Sequence, residues 1–211
     1  MGLRAERKRI TKSPDQRRQE IMDAAVRVFA KRGVHGTTVA HITQAARVAK
    51  GTFYLYFDSK EHLLGALKDR FVDQSLEKAG ALLERVGRED WWALVDTAIE
   101  SFADFMLEHR DLLHVFVQEG ITEQTSDVFA ECHRKLDMMF AAGIQAGVEA
   151  GAFETSDPHI TAQMIHNALE GTIVNAMLYG DEVDRDRIVT AAKETAHKIL
   201  APSGATTPSS A

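Results

Sequence analysis

Between Thr38 and Lys60 the chain gathers residue types that contact polyanions. Lys50-Gly51-Thr52-Phe53-Tyr54-Leu55-Tyr56-Phe57 sets a cation and a glycine at what reads as a helix start, with aromatic rings following. A glycine there lets backbone amides come close to a phosphate, and a helix N-terminus favours an anion. Thr38 offers the same arrangement at the start of segment 39–46. If Phe53 and Phe57, four residues apart, turn inward, then Tyr54 and Tyr56 turn outward, because neighbours on a helix point about 100° apart. The plainer alternative is that both tyrosines pack between helices. Gln44 carries an amide suited to adenine, while Thr52 and Tyr54 offer hydroxyls and apolar surface suited to a thymine methyl. Arg4, Arg7, Lys8, Arg9 and Lys12 form a basic arm able to follow a phosphate backbone or enter a minor groove.

Other chemistries find little to stand on. The chain has no G-x-S-x-G elbow, no G-x-x-x-x-G-K phosphate loop and no H-E-x-x-H, and its single cysteine, Cys132, has no motif around it. The expectation is a protein that is not an enzyme and needs no cofactor. His166 and Glu170 stand four apart, with His159 seven residues before His166, but no zinc-type spacing supports a metal site, and none is expected.

The elements that must position these residues are helices. Ser13, Pro14 and Gln16 make a helix start with a return partner for the cap, and Ile21, Ala24, Ala25, Val28 and Phe29 form one apolar stripe that Gly33 closes. A short helix over 39–46 capped by Thr38, another over 50–57, and a longer one capped by Asp58 or Ser59 and running to about residue 85 follow. Helical periodicity then continues over 91–107, 112–117, 122–150, 158–179 and 185–200, with stops expected at Gly151 and Gly180. The fold class is all-α, with a basic arm at 1–13, a short-helix domain at 14–62 suited to a polyanion, a longer helical domain at 63–200, and a tail at 201–211 expected to be disordered. Charge divides the same way. Residues 1–70 hold 15 Lys/Arg against 7 Asp/Glu, a balance of +8, whereas the remainder carries -14. No apolar run approaches the ~20 residues that span a bilayer, and the basic residues 1–12 lack the apolar stretch of a secretory signal, so none is expected. The expectation is a cytoplasmic protein with no membrane contact.

Two short helices held by a longer one already fit a helix-turn-helix. The run from Gly36-Thr37-Thr38-Val39-Ala40-His41-Ile42 to Asp58-Ser59-Lys60-Glu61-His62-Leu63-Leu64 closely resembles the DNA-binding segment of the TetR family of bacterial regulators, over about residues 16–65. Three positions depart from its common pattern: Arg47 stands where glycine is usual, Ala49 where serine is usual and Leu55 where tyrosine is frequent. The resemblance implies a homodimer on double-stranded operator DNA, most simply a repressor released by a small, largely apolar inducer, with Lys60 as a phosphate contact. The competing reading is a helical protein-interaction scaffold without specific DNA binding.

Small residues among large ones in the last two helices point to close helix contact, and the family commonly dimerises there. Ile165, Ala168, Leu169, Thr172, Ile173, Ala176, Ala192, Ala196 and Ile199 are the candidate interface. The middle helices are rich in aromatics and methionine, which suit an adaptable apolar cavity as well as an ordinary core. Phe102, Phe105, Met106, Phe116, Met139, Phe140, Met164 and Asn167 are its candidate ligand contacts, with His114, His133, His166, Glu170 and Asn175 as polar groups able to orient a ligand.

Overall fold

Ser13 accepts a hydrogen bond from the Gln16 amide at 3.2 Å and donates its own amide to the Gln16 side chain at 3.1 Å. This reciprocal cap starts α1 (Pro14–Arg32), and Gly33 ends it with φ +66°. The computed structural model describes residues 13–86, 90–119, 125–179 and 183–201; the basic arm, Gly180 and the tail beyond residue 201 lie outside these. Among the described residues all regular elements are helices. Thr38 and His41 form a second reciprocal cap on α2 (Val39–Ala46). Next come α3 (Lys50–Tyr54) and α4 (Lys60–Val86). α3 is shorter than expected. Ala49 gives it no side-chain cap, and after Phe57 donates back to the Phe53 carbonyl the chain leaves the helix.

The second half comprises α5 (Trp91–Glu108), α6 (Arg110–Glu119), α7 (Ser126–Glu149), α8 (Pro158–Leu178) and α9 (Arg185–Leu200). Asp157 caps α8 by accepting from the His159 and Ile160 amides at 3.0 Å. α7 packs on α4 and α8, and α9 on α5 and α8. Arg185 clamps α9 to α5 through a two-pronged contact with Asp104 at 2.6 and 3.0 Å, which holds the Asp104 carboxyl below its ordinary range. Lys193 to Glu100 and His197 to Asp96 extend that seam.

α4 belongs to both halves. Its first turns bury Leu63, Leu64 and Leu67 with Ile21, Phe29, Ile42, Phe53 and Phe57. Further along, Phe71 lies tilted against Phe105 and edge-on to Phe116 in the larger body. Arg70 ties the same helix back to α1 through Gln19 and Asp23 at 2.7 and 2.8 Å. One hydrophobic core therefore runs through the molecule.

Candidate nucleic-acid interface and ligand cavity

α2 and α3 are anchored by Ile42 and Phe53, both fully buried, which fixes what their other faces present. Thr38, Gln44, Lys50 and Gly51 are exposed, Thr52 is half-buried, and Tyr54 is half exposed. Tyr56 instead packs partly against the core. Lys60 departs further from expectation. Its ammonium donates to the Val34 carbonyl at 2.8 Å and the Thr37 carbonyl at 3.4 Å, fastening the loop between α1 and α2. Two of the ammonium's three protons are thereby engaged inside the unit. Two further residues of this unit are exposed: Arg47, in the turn, and Leu55, 79% exposed at the end of α3. Their departure from the family pattern was the available signal.

Between α4, α5, α7 and α8 lies a cavity of about 140 Å³. Phe102, Met139 and Phe140 line it as expected, joined by Trp91, Phe153, His166 and, from α4, Ala79 and Leu82. Met106 and Phe116 are elsewhere, in the continuous core, and Phe105, which packs against Phe71, borders a smaller adjoining cavity with Phe102, Met139 and Phe140. Met164 is 60% exposed and Asn167 is exposed, both on the outer face of α8. The reason is the composition of α8, apolar on two adjacent faces, so that periodicity alone does not say which faces in. Its inner stripe carries Ile165 and Leu169, which line the cavity, and Ile173, 1% exposed. Of the expected dimer residues, Ala168 and Thr172 are exposed and Ala176 and Ala192 half-buried along a surface groove between α8 and α9, Ile199 is exposed on α9, and Leu169, Ile173 and Ala196 are buried within the subunit.

His166 is 4% exposed, stacked on Phe140 at 4.4 Å and edge-on to Phe102 at 5.0 Å. Its Nδ1 stands 4.0 Å from Asp137 and its Nε2 3.9 Å from Glu170, beyond hydrogen-bond range, and neither nitrogen has a partner among the described residues. Burial lowers its pKa against the pull of Glu170 and Asp137. Asp137 accepts from Gln163 at 2.8 Å through one oxygen only. Nearby, the Lys68 ammonium sits 5.0 to 5.6 Å from the ring centres of Phe71, Phe116 and Phe129, and burial lowers its pKa too. Cys132 is fully buried and donates to Asp69, and burial pushes its thiol up to about 11, so it holds no thiolate at neutral pH. No group of metal-ligating side chains is found among the described residues.

The chain matches two family models: bacterial regulatory proteins of the tetR family, over residues 21–67, and the tetracyclin repressor-like C-terminal domain, over residues 89–174. The chain belongs to the TetR family. Its α1–α3 unit is accordingly the DNA-binding part of a transcriptional regulator, and the scaffold reading has no support. It is 30% identical to YvdT of Bacillus subtilis, an uncharacterized HTH-type transcriptional regulator, over 45% of this chain and 48% of that protein. With KstR2 of Rhodococcus jostii, an HTH-type transcriptional repressor, it shares 29% identity over 69% of this chain and 72% of that one. The transcriptional regulator FadR of Bacillus subtilis, solved with stearoyl-CoA, has the same fold, with a TM-score of 0.73 at 21% identity over 84% and 96% of the two chains. No helix among the described residues is long and apolar enough to cross a membrane.

Proposed function

We propose that this TetR-family regulator is a homodimeric repressor in the cytoplasm that leaves its operator when a small, largely apolar inducer enters the cavity of the α4–α5–α7–α8 body. The observation that carries this reading is the shared helix α4. Leu63, Leu64 and Leu67 are seated in the helix-turn-helix core, and Ala79 and Leu82 of the same helix form part of the cavity wall. At 1.5 Å per residue, Leu64 and Leu82 are about 27 Å apart along one rigid rod. Half-sites one DNA turn apart require recognition helices ~34 to 36 Å apart, so a small tilt of that rod spoils the fit of a dimer. The groove between α8 and α9, lined by Ala168, Thr172, Ala176 and Ala192, supports pairing of two copies. Thr38, Gln44, Lys50, Gly51, Thr52 and Tyr54 are the proposed DNA contacts, with Arg47 and Leu55 added.

A cavity of about 140 Å³ is close to the ~150 Å³ that holds a benzene molecule, far short of a long acyl chain unless the helices spread. Selection of binding sites from random duplex DNA, followed by release with candidate inducers, tests the reading. Folded protein that retains no sequence would remove it.

A further inference from the structure

We propose that Leu55 is a specificity residue of this regulator and reads the 5-methyl group of a thymine in each operator half-site. This rests on the operator reading above and names the base that is read. Leu55 follows α3 in a right-handed helical conformation, φ -75° and ψ -18°, and the amides of Tyr56 and Phe57 both return to the Phe53 carbonyl at 3.0 Å, so the turn continues past it. Phe53 and Phe57 are sunk in the core. At about 100° per residue, Leu55 lies about 180° from the midpoint of those two anchors, the direction pointing straight out of the unit. Gly51, one turn earlier, falls about 40° from it, and a Cβ placed there would meet nothing within 4 Å. Thr52 and Tyr54, the sequence-level candidates for a thymine methyl, fall on the flanks.

A helix-turn-helix lays its second helix in the major groove, so the outward pole of α3 is what meets the base edges. On that pole Gly51 adds no bulk, which lets the backbone sink, and Leu55 is the side chain that projects. Leucine offers neither donor nor acceptor. Phosphates and the hydrogen-bonding edges of bases gain nothing from it, and the apolar group that the major groove presents is the thymine methyl. A tyrosine, frequent at this position, would bring a hydroxyl; leucine brings carbon alone. Leu55 is also the most exposed large apolar side chain among the described residues, so its contact area is free until DNA covers it.

Random-site selection with the full chain supplies the duplex for the test. Its thymines are then replaced by uracil one at a time, which removes the methyl and keeps the pairing edge. Uracil at one position in each half-site is expected to weaken native binding about fourfold, the worth of one buried carbon. Leu55→Ala should bind the thymine and uracil duplexes within about twofold of each other, because the partner of the methyl is gone. The same variant should keep the native dependence of affinity on salt, since no phosphate contact is lost. The uracil series on the native chain stands even where the variant fails to fold. Half-sites in which no thymine methyl matters, a methyl effect that survives Leu55→Ala, or a shallower salt dependence in that variant overturns the assignment while leaving the operator reading standing. Folded native protein that retains no sequence overturns both.

Discussion

Arg47 holds the turn between α2 and α3 in the left-handed region, at φ 56° and ψ 44°. A side chain with a Cβ costs roughly 1 to 2 kcal/mol there, and glycine does not incur that cost. Arg47→Gly should therefore raise the stability measured by urea unfolding by about 1 kcal/mol, and should weaken DNA binding because an exposed cation is lost. Ala49→Ser should add about 1 kcal/mol by capping α3, which now starts without a side-chain acceptor. At the contact face, Tyr54→Ala should weaken DNA binding with a change in stability under about 1 kcal/mol, whereas Phe57→Ala, at a site 1% exposed, should cost about 3 to 5 kcal/mol. A Tyr54→Ala protein that melts like Phe57→Ala would show that Tyr54 is structural. His166 has a distinct signature. Its folded pKa lies below the usual 6.5, so the unfolded chain binds the proton first, and stability present above about pH 6.5 is lost as pH falls through that window. The stability difference between His166→Phe and the native protein should shift in favour of the variant from pH 6.5 downward; parallel curves would contradict a buried neutral imidazole.

Within α7, two glycines of similar appearance in the sequence have opposite meanings. A Cβ on Gly147 would overlap the Phe153 ring, whereas one on Gly143, at the cavity wall, would meet nothing within 4 Å. Gly147→Ala should thus destabilise by displacing a wall residue of the cavity. Gly143→Leu should stabilise, since leucine is better than glycine in a helix interior by about 1 kcal/mol, and should block phenol or benzene binding by filling the space. Loss of stability with unchanged ligand affinity would contradict that placement. These helices show how far a sequence carries. Caps at Ser13, Thr38 and Asp157 were legible because each pairs a short polar acceptor with amides two or three residues on. So was the first stripe from Ile21 to Phe29, which has only one apolar face. α8 was not legible in its rotation: Met164 and Ile165 are adjacent apolar residues, and which one meets the core depends on α7 and α9. The internal bonds of Lys60 were not legible either, because nothing local reveals two carbonyls 23 and 26 residues upstream.

For the whole molecule, a two-fold interface sets a surface against its own copy, so a single substitution acts twice. Thr172→Glu, on the exposed face of α8, should bring two carboxylates together and raise the dimer dissociation constant about a hundredfold or more, with parallel loss of DNA affinity, while the melting of each subunit changes little. Sedimentation that still shows a tight dimer would move the interface elsewhere. DNA affinity should also fall steeply with salt as phosphate contacts release counterions. The aromatic end of the cavity has a practical consequence. Trp91 lines that space and Trp92 lies against Phe153 and His197 at 5.0 and 4.6 Å, and the chain has no other tryptophan. Tryptophan emission thus arises wholly beside the cavity and none of it from the helix-turn-helix. An unlabelled sample reports occupancy optically while a dye on the duplex reports release, so the two events can be timed separately in one cuvette.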